Sequence, residues 1–514
     1  MTREKTLISS FELKLSTRKS TTTATIKSDT PFCMAILGDF SNSEYNKTNR
    51  PHSQKKYKIV EIDRDNFDDV LKNLQVNIQL KLGETSSTIV EIPITEIDDF
   101  SPDNIFLKVG LFQKLRDLRG KLLNRTTFRE AANEVLGLMP SEKETPQPPT
   151  PQPSVDSKPI GNLLDAVINS SEVDARQYKG TTGSELVDEL IKEAVAKYAI
   201  PAEDPKQHEM VTAVDQAITA QMQIILHHPH FQSVESSWRA VYFLCRRLGT
   251  GSHLKIFLID ISKEELQDDI SAEDLSTTKL FKLLCEPQPS NITWSLLLGN
   301  YSFGATIDDA DLLARIGSIA QYINTSFIAG AHSDLIQCES LGRDPDPDNW
   351  QKPLDPDVTM AWLSLRNRSE SQHIALVLPR FLLRMPYGKE FSSVENFAFE
   401  EMSTAVSHDN FLWGNAAYAI AYLLAQSFVN NGWDMKPGDY YQIDDLPLFY
   451  YNDDGESVLK PCAEIIMTEK AGNKIAEAGL MSLWSIPGSG SIRVSAFRAL
   501  SQPGNPITGP WITT

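Results

Sequence analysis

The chain has 514 residues, enough for more than one domain, and 41% of them are hydrophobic, enough for a real core. With 68 acidic against 49 basic residues it carries a formal charge of −19, which argues against a phosphate-backbone binder needing a net basic face, so no nucleic-acid partner is expected. The five cysteines (Cys33, Cys245, Cys285, Cys338, Cys462) are scattered, with no CxxC pair, and the first fifteen residues lack a signal-type apolar run; both features favour a reducing, cytoplasmic compartment.

Residues 1–30 are rich in Ser and Thr, and Phe11 to Leu15 alternates as an exposed or edge strand. Met34–Leu37 reads as a buried strand ended by Gly38-Asp39, and Lys58–Ile62 as a second strand. Asp65-Asn66 stands before the periodic run Phe67, Val70, Leu71 and Leu74, as a helix cap would. Ile78–Leu82 and Ile89–Ile94 alternate as an antiparallel pair. Ser101 and Pro102 open a helix whose apolar side is Phe106, Val109, Leu111, Phe112, Leu115, Leu118 and Leu122.

Residues 140–159 hold seven prolines. They cannot join a helix or a ladder, and at ~3.1 Å per residue they span roughly 60 Å as a tether. Beyond them the pattern turns helical: Leu163, Leu164, Val167 and Ile168 form a short amphipathic piece, followed by Leu186–Tyr198, Val211–Leu226 and Phe231–Leu248. From Leu254 strands and helices alternate, which predicts an α/β core with a parallel or mixed sheet. Ile374–Leu378 reads as a buried strand. Phe411–Val429 has no charge and reads as one buried helix; Asn415, Gln426 and Ser427 within it, with acidic flanks, argue against a membrane span.

No motif completes a catalytic constellation, so no enzyme, cofactor or metal is expected. His227, His228 and His230 lack ligand spacing and fit a helix–Pro–helix corner. Asp344, Asp346, Asp348 and Asp355 resemble a calcium loop, but Asn349 stands where the turn needs Gly, so an acidic turn is the expectation. Gly249-Thr250-Gly251 and Gly488-Ser489-Gly490 are incomplete phosphate cradles. Arg380 and Arg384 bracket Phe381-Leu382-Leu383, and charges in so apolar a run need carboxylate or carbonyl partners. The leading reading is structural ion pairing, within or between subunits; an anion site is the lesser one.

Several long stretches resemble a known family. Ile225–Gln232 followed by Glu235, Trp238 and Arg239 is similar to the large subunit of the type VI secretion contractile sheath (TssC/VipB). So are Leu254–Ile256, Asp260–Leu266, Gly299–Tyr301, Trp362–Arg366, Leu378–Arg384, Pro386-Tyr387 and Leu412–Tyr418. Before the tether, Pro31-Phe32, Gly38–Ser41, Ile62–Asp68 (with Asp63 and Asp65) and Asp98–Pro102 resemble the small subunit (TssB/VipA).

The resemblance implies a fold and a division of the chain: a small α/β module at 1–139, a Pro-rich linker at 140–159, a mixed-sheet core with a helical N-terminal segment at 160–485, and a Gly/Pro-rich tail at 486–514. It implies a structural component or paralogue of the sheath, assembling around or capping the inner tube. Its partners would be sheath subunits and the tube protein, with an AAA+ ATPase dismantling the spent sheath and Leu163–Ile168 the nearest candidate for the ATPase-binding helix. Arg380, Arg384, Trp413, Asn415, Trp238, Arg239, Asp63 and Asp65 are the structural or interface candidates. The family's C-terminal helices and linking strands have no counterpart after Leu483, which leaves a non-polymerising scaffold or adaptor, docked on sheath or baseplate, as the alternative.

Overall fold

The computed structural model describes residues 27–43, 57–81, 89–124, 126–137, 207–286, 292–402, 406–453, 455–501 and 505–512. The strand expected at Phe11–Leu15, the Pro-rich tether, the amphipathic piece Leu163–Ile168 and the helix expected at Leu186–Tyr198 lie outside them.

In chain order, β1 (Phe32–Gly38), β2 (Ile59–Ile62) and α1 (Phe67–Asn73) come first, followed by the antiparallel pair β3 (Asn77–Lys81) and β4 (Ile89–Pro93). Next are α2 (Pro102–Lys108), α3 (Gln113–Leu123) and α4 (Phe128–Gly137). Ser101 caps α2, its hydroxyl accepting from Asn104 N–H at 3.3 Å, with Pro102 in the first turn. The single helix expected through Leu122 is broken: Val109 adopts an extended conformation and Gly110–Phe112 form a 3₁₀ turn before α3 restarts. The helix expected after Asp65-Asn66 is present, but Asn66 makes no side-chain cap; Asp63 Oδ1 takes the N–H groups of Asp65 and Asn66 instead, each at 2.9 Å.

After residue 206 come α5 (Gln207–Leu226), α6 (Pro229–Arg247), β5 (Leu254–Asp260), α7 (Lys263–Asp269), α8 (Lys279–Cys285), β6 (Trp294–Phe303), α9 (Ile307–Tyr322), β7 (Ser326–Ala331), α10 (Pro356–Arg366) and β8 (Ile374–Leu378). Two short strands, β9 (Phe381–Leu382) and β10 (Trp413–Gly414), pair antiparallel before α11 (Ala417–Asn431). The uncharged run expected to be one helix from Phe411 is therefore strand, turn and then helix. The physical reason is Asn415, whose Oδ1 accepts Ala417 N–H at 2.9 Å and starts α11 there. Last come β11 (Gln442–Ile443), the hairpin β12 (Phe449–Asp453) and β13 (Glu456–Lys460), α12 (Glu469–Glu477), β14 (Met481–Ser485) and β15 (Ile492–Val494).

Nine strands form one sheet in the order β11-β15-β14-β8-β7-β6-β1-β5-β2. The strands from β14 to β5 are parallel; β2, β15 and β11 add antiparallel edges. Helices cover both faces, so the inner strands are apolar on both sides. In β1, Phe32, Met34 and Ile36 face a core with α1, α3, α5, α6 and α11, while Cys33, Ala35 and Leu37 face one with α7, α8, α9, α10 and α12. This is an α/β fold.

The sheet crosses the Pro-rich boundary of the sequence. β1 lies between β5 and β6 and pairs parallel with both, with one register shift against β6 at Cys33/Met34, although some 200 residues of chain separate it from them. The segment after Leu483 is also sewn into the core: β15 pairs with β14, Leu500 N–H reaches Ile374 O at 2.7 Å, Thr508 N–H reaches Gln372 O at 2.9 Å, and Ile507 and Trp511 are buried.

Candidate functional site

Between α6 and the strap that follows β9 lies a buried network of charges. Arg384 donates from Nε to Glu235 Oε1 at 2.8 Å and from Nη1 to Glu401 Oε2 at 2.8 Å. One turn along α6 from Glu235, Arg239 gives its Nε to Glu235 Oε1 at 2.7 Å and its Nη2 to the Tyr387 hydroxyl at 2.9 Å. Tyr387 N–H completes Glu401 at 2.7 Å, and the Arg384 guanidinium sits 4.4 Å from the Tyr387 ring centroid. Arg384 is 9% exposed, Glu401 1% and Glu235 0%. Burial opposes the charge on Glu401, yet Arg384 and His227 outweigh it and hold the carboxyl down at about 2. Burial likewise opposes the Arg384 charge, and Glu235 and Glu401 drive its pKa above the ordinary value.

Arg380 uses a different carboxylate. Its Nε reaches Glu464 Oε1 at 3.0 Å and its backbone N–H reaches Glu464 Oε2 at 2.9 Å, while half of its side chain stays exposed. Burial works against ionised Glu464, but His408 and Arg380 bring its pKa to about 2. The pairings predicted for Arg380 and Arg384 are thus made within the chain. Sequence reasoning missed Glu464 and His408 altogether; only the apolar context of the arginines signalled that carboxylates must come from elsewhere.

The remaining candidates are placed separately. Trp238 is fully buried in α6, its indole N–H donating to Phe40 O at 3.1 Å, where the segments before and after the tether meet. Asn415 Nδ2 donates to Tyr301 O at 2.9 Å at the end of β6. Trp413 donates its indole N–H to His408 O at 2.9 Å. Asp63 shapes the turn before α1, and Asp65 is exposed beside Arg64. The three histidines of the α5–α6 corner diverge: His228 Nδ1 takes His230 N–H at 3.2 Å, His230 Nε2 lies 2.7 Å from Asn42 Oδ1, and His227 Nε2 lies 3.6 Å from Glu401. Asp346 and Asp355, two of the four calcium-loop-like aspartates, cap a 3₁₀ turn and α10, accepting from Asp348 N–H at 2.9 Å and Asp357 N–H at 2.8 Å.

At the carboxyl ends of β6, β7 and β8 a cleft of about 620 Å³ opens, bordered by Asn300, His332, Arg380, Asp409, Trp413 and Glu464. This is where open α/β sheets place ligands. Arg380, His332 and Asp409 each have a counter-ion at hand: Glu464, Asp334 at 3.0 Å and Arg343 at 3.1 Å. Among the described residues no group of three or more His, Cys, Asp or Glu is arranged to hold a metal ion, and no helix is long and apolar enough to cross a membrane.

The buried ion-pair network ties α6 to the segment that follows β9. Residues 208–500 match the family described as EvpB/VC_A0108, tail sheath N-terminal domain, and residues 13–143 match the type VI secretion system family described as VipA, VC_A0107 or Hcp2. The chain is similar to the type VI secretion system sheath protein TssC1 of Pseudomonas aeruginosa, with 31% identity over 286 residues, covering 53% of this chain and 57% of the relative. It thus spans little more than half the length of that curated relative. The sheath domain match takes in more than half of the chain, and the chain belongs to the EvpB/VC_A0108 tail sheath family.

Proposed function

We propose that this chain is a non-enzymatic structural component of a type VI contractile sheath, built from a small-subunit-like and a large-subunit-like part in one polypeptide. It acts in the cytoplasm, assembling around or capping the inner tube. The observation that carries this reading is the shared sheet: β1, from the part matching VipA, is an inner strand between β5 and β6, from the part matching the tail sheath domain. Such a pairing makes one rigid body of what the two families supply separately. The Arg384–Glu235–Glu401 network adds a brace between α6 and the strap, as a part under load requires.

Its partners are other sheath subunits and the tube protein, with a AAA+ ATPase acting on the assembled form. Co-expression with sheath and tube subunits, followed by negative-stain microscopy and mass spectrometry of the particles, tests this. The chain is expected in tubular or baseplate-like particles. Its absence from both overturns the assembly role.

A further inference from the structure

Beside the cleft stands a hydrogen-bonded series of side chains that bracing alone does not require. His408 lies in the turn His408–Asn410, and its ring stacks on Trp413 with centroids 4.9 Å apart and planes at 25°. On the ring's other contacts space is equally tight: a Cβ on Gly342 would come within 2.5 Å of the imidazole, so only glycine lets the ring lie there. His408 Nε2 is 3.2 Å from Glu464 Oε1, and His408 Nδ1 is 3.0 Å from Lys460 Nζ. An ionised carboxylate only accepts, so Nε2 carries the proton and the lone pair at Nδ1 faces the amine.

Lys460 ends β13 with its amine 5.1 Å from the Phe411 ring and 5.5 Å from the Trp413 ring. Burial lowers its pKa, although Glu464 and Asp409 pull the other way. A nucleophile in reach of a base, itself oriented by a third group, is the arrangement that activates side chains for covalent chemistry.

We propose that Lys460 is an acyl-accepting lysine, with His408 as its general base and Glu464 as the group that orients that base. The donor class is an activated acyl compound such as a thioester. Lys460 Nζ attacks the carbonyl carbon, the C–N bond forms and the C–S bond breaks. The thiolate leaves with the bonding pair, and the proton from Nζ passes to His408 Nδ1 and then to the thiolate or water. The product is a neutral amide, which removes a cation from the wall of aromatic rings and from Glu464 and Asp409. Acylation thereby changes the charge of the β12–β13 hairpin.

The test is trace acetylation of the full chain with acetic anhydride across pH 7 to 9, and with a small acetyl thioester, with peptide mass spectrometry ranking the lysines. At pH 7 Lys460 is expected to react faster than exposed Lys58 and Lys389, since a lowered pKa leaves more of the amine free. Its rate–pH curve should lie at lower pH than theirs. His408→Gln should slow Lys460 while leaving the position of its curve, which burial sets, in place, and Lys460→Arg should remove only that label. Should Lys460 in the unaltered chain react no faster than Lys58, or should His408→Gln leave its rate unchanged, the proposal is overturned. The ranking in the unaltered chain stands whether or not the variant folds well.

Discussion

Arg380 and Arg384 are four residues apart and chemically identical, yet their surroundings give them different weight. Replacing Arg384 by Ala would leave Glu401 without a guanidinium and Glu235 with Arg239 alone, both almost fully buried, and breaking a buried pair in this way costs about 3–5 kcal/mol. Arg380→Ala should cost clearly less, because Arg380 is half exposed and Glu464 keeps its contact with His408 and with the backbone N–H of residue 380. Urea unfolding of the two variants checks the order; equal losses would refute it. The same carboxylates set an acid limit. Glu401 and Glu464 have native pKa values near 2 against an ordinary 4.5, so the native state binds fewer protons than the unfolded one between those values. Their stabilisation is complete above about pH 4.5 and is lost as the pH falls toward 2, on the order of 3 kcal/mol for each group. Denaturant midpoints at pH 7, 4.5 and 3 should show a plateau and then a drop, and the drop should shrink in Glu401→Gln.

At the scale of elements, the decisive joint is the start of α11. Asn415 accepts the N–H of Ala417 at the start of that helix and also holds the carbonyl of Tyr301 near the end of β6. A Cβ on Gly330 would come within 2.9 Å of its Oδ1, so β7 approaches there only because residue 330 is glycine. Asn415→Ala should cost about 1–3 kcal/mol by unmaking two part-buried hydrogen bonds together, one at the helix start and one to β6. Melting curves would reveal it, and a loss within error would show that these two bonds are dispensable. Several elements were legible from pattern alone: the β3–β4 pair from alternation, α2 from Ser101-Pro102, α6 from the histidine–proline corner. The breaks were not. Nothing in the periodicity of Phe106 to Leu122 marks Val109 as extended, and the apolar run from Phe411 hides a two-residue strand whose partner, Phe381-Leu382, is about 30 residues away.

For the whole molecule, the placement of β1 has the largest consequence. An inner strand apolar on both faces cannot be left out without exposing β5 and β6 and the helices on either side. Residues before and after the proline-rich segment 140–159 should therefore unfold together. Calorimetry of the full chain should show one transition for both parts, and Met34→Asp, which puts a charge into a fully buried position, should abolish the fold of both; two separate transitions would contradict this.

By itself the sequence determined the α/β class, the burial of β8 and the need for carboxylates near the two arginines, because these follow from local periodicity and from the cost of an unpaired buried charge. The family resemblance was also carried by local motifs. The tertiary structure decided which carboxylates answer which arginine, and that His408 stands between Glu464 and Lys460. It also placed β1 inside a sheet whose strands, β1 and β2 apart, all lie beyond the proline-rich segment. Pairing across a sheet is set by burial of two faces at once, a condition on strands far apart in sequence that no local pattern records.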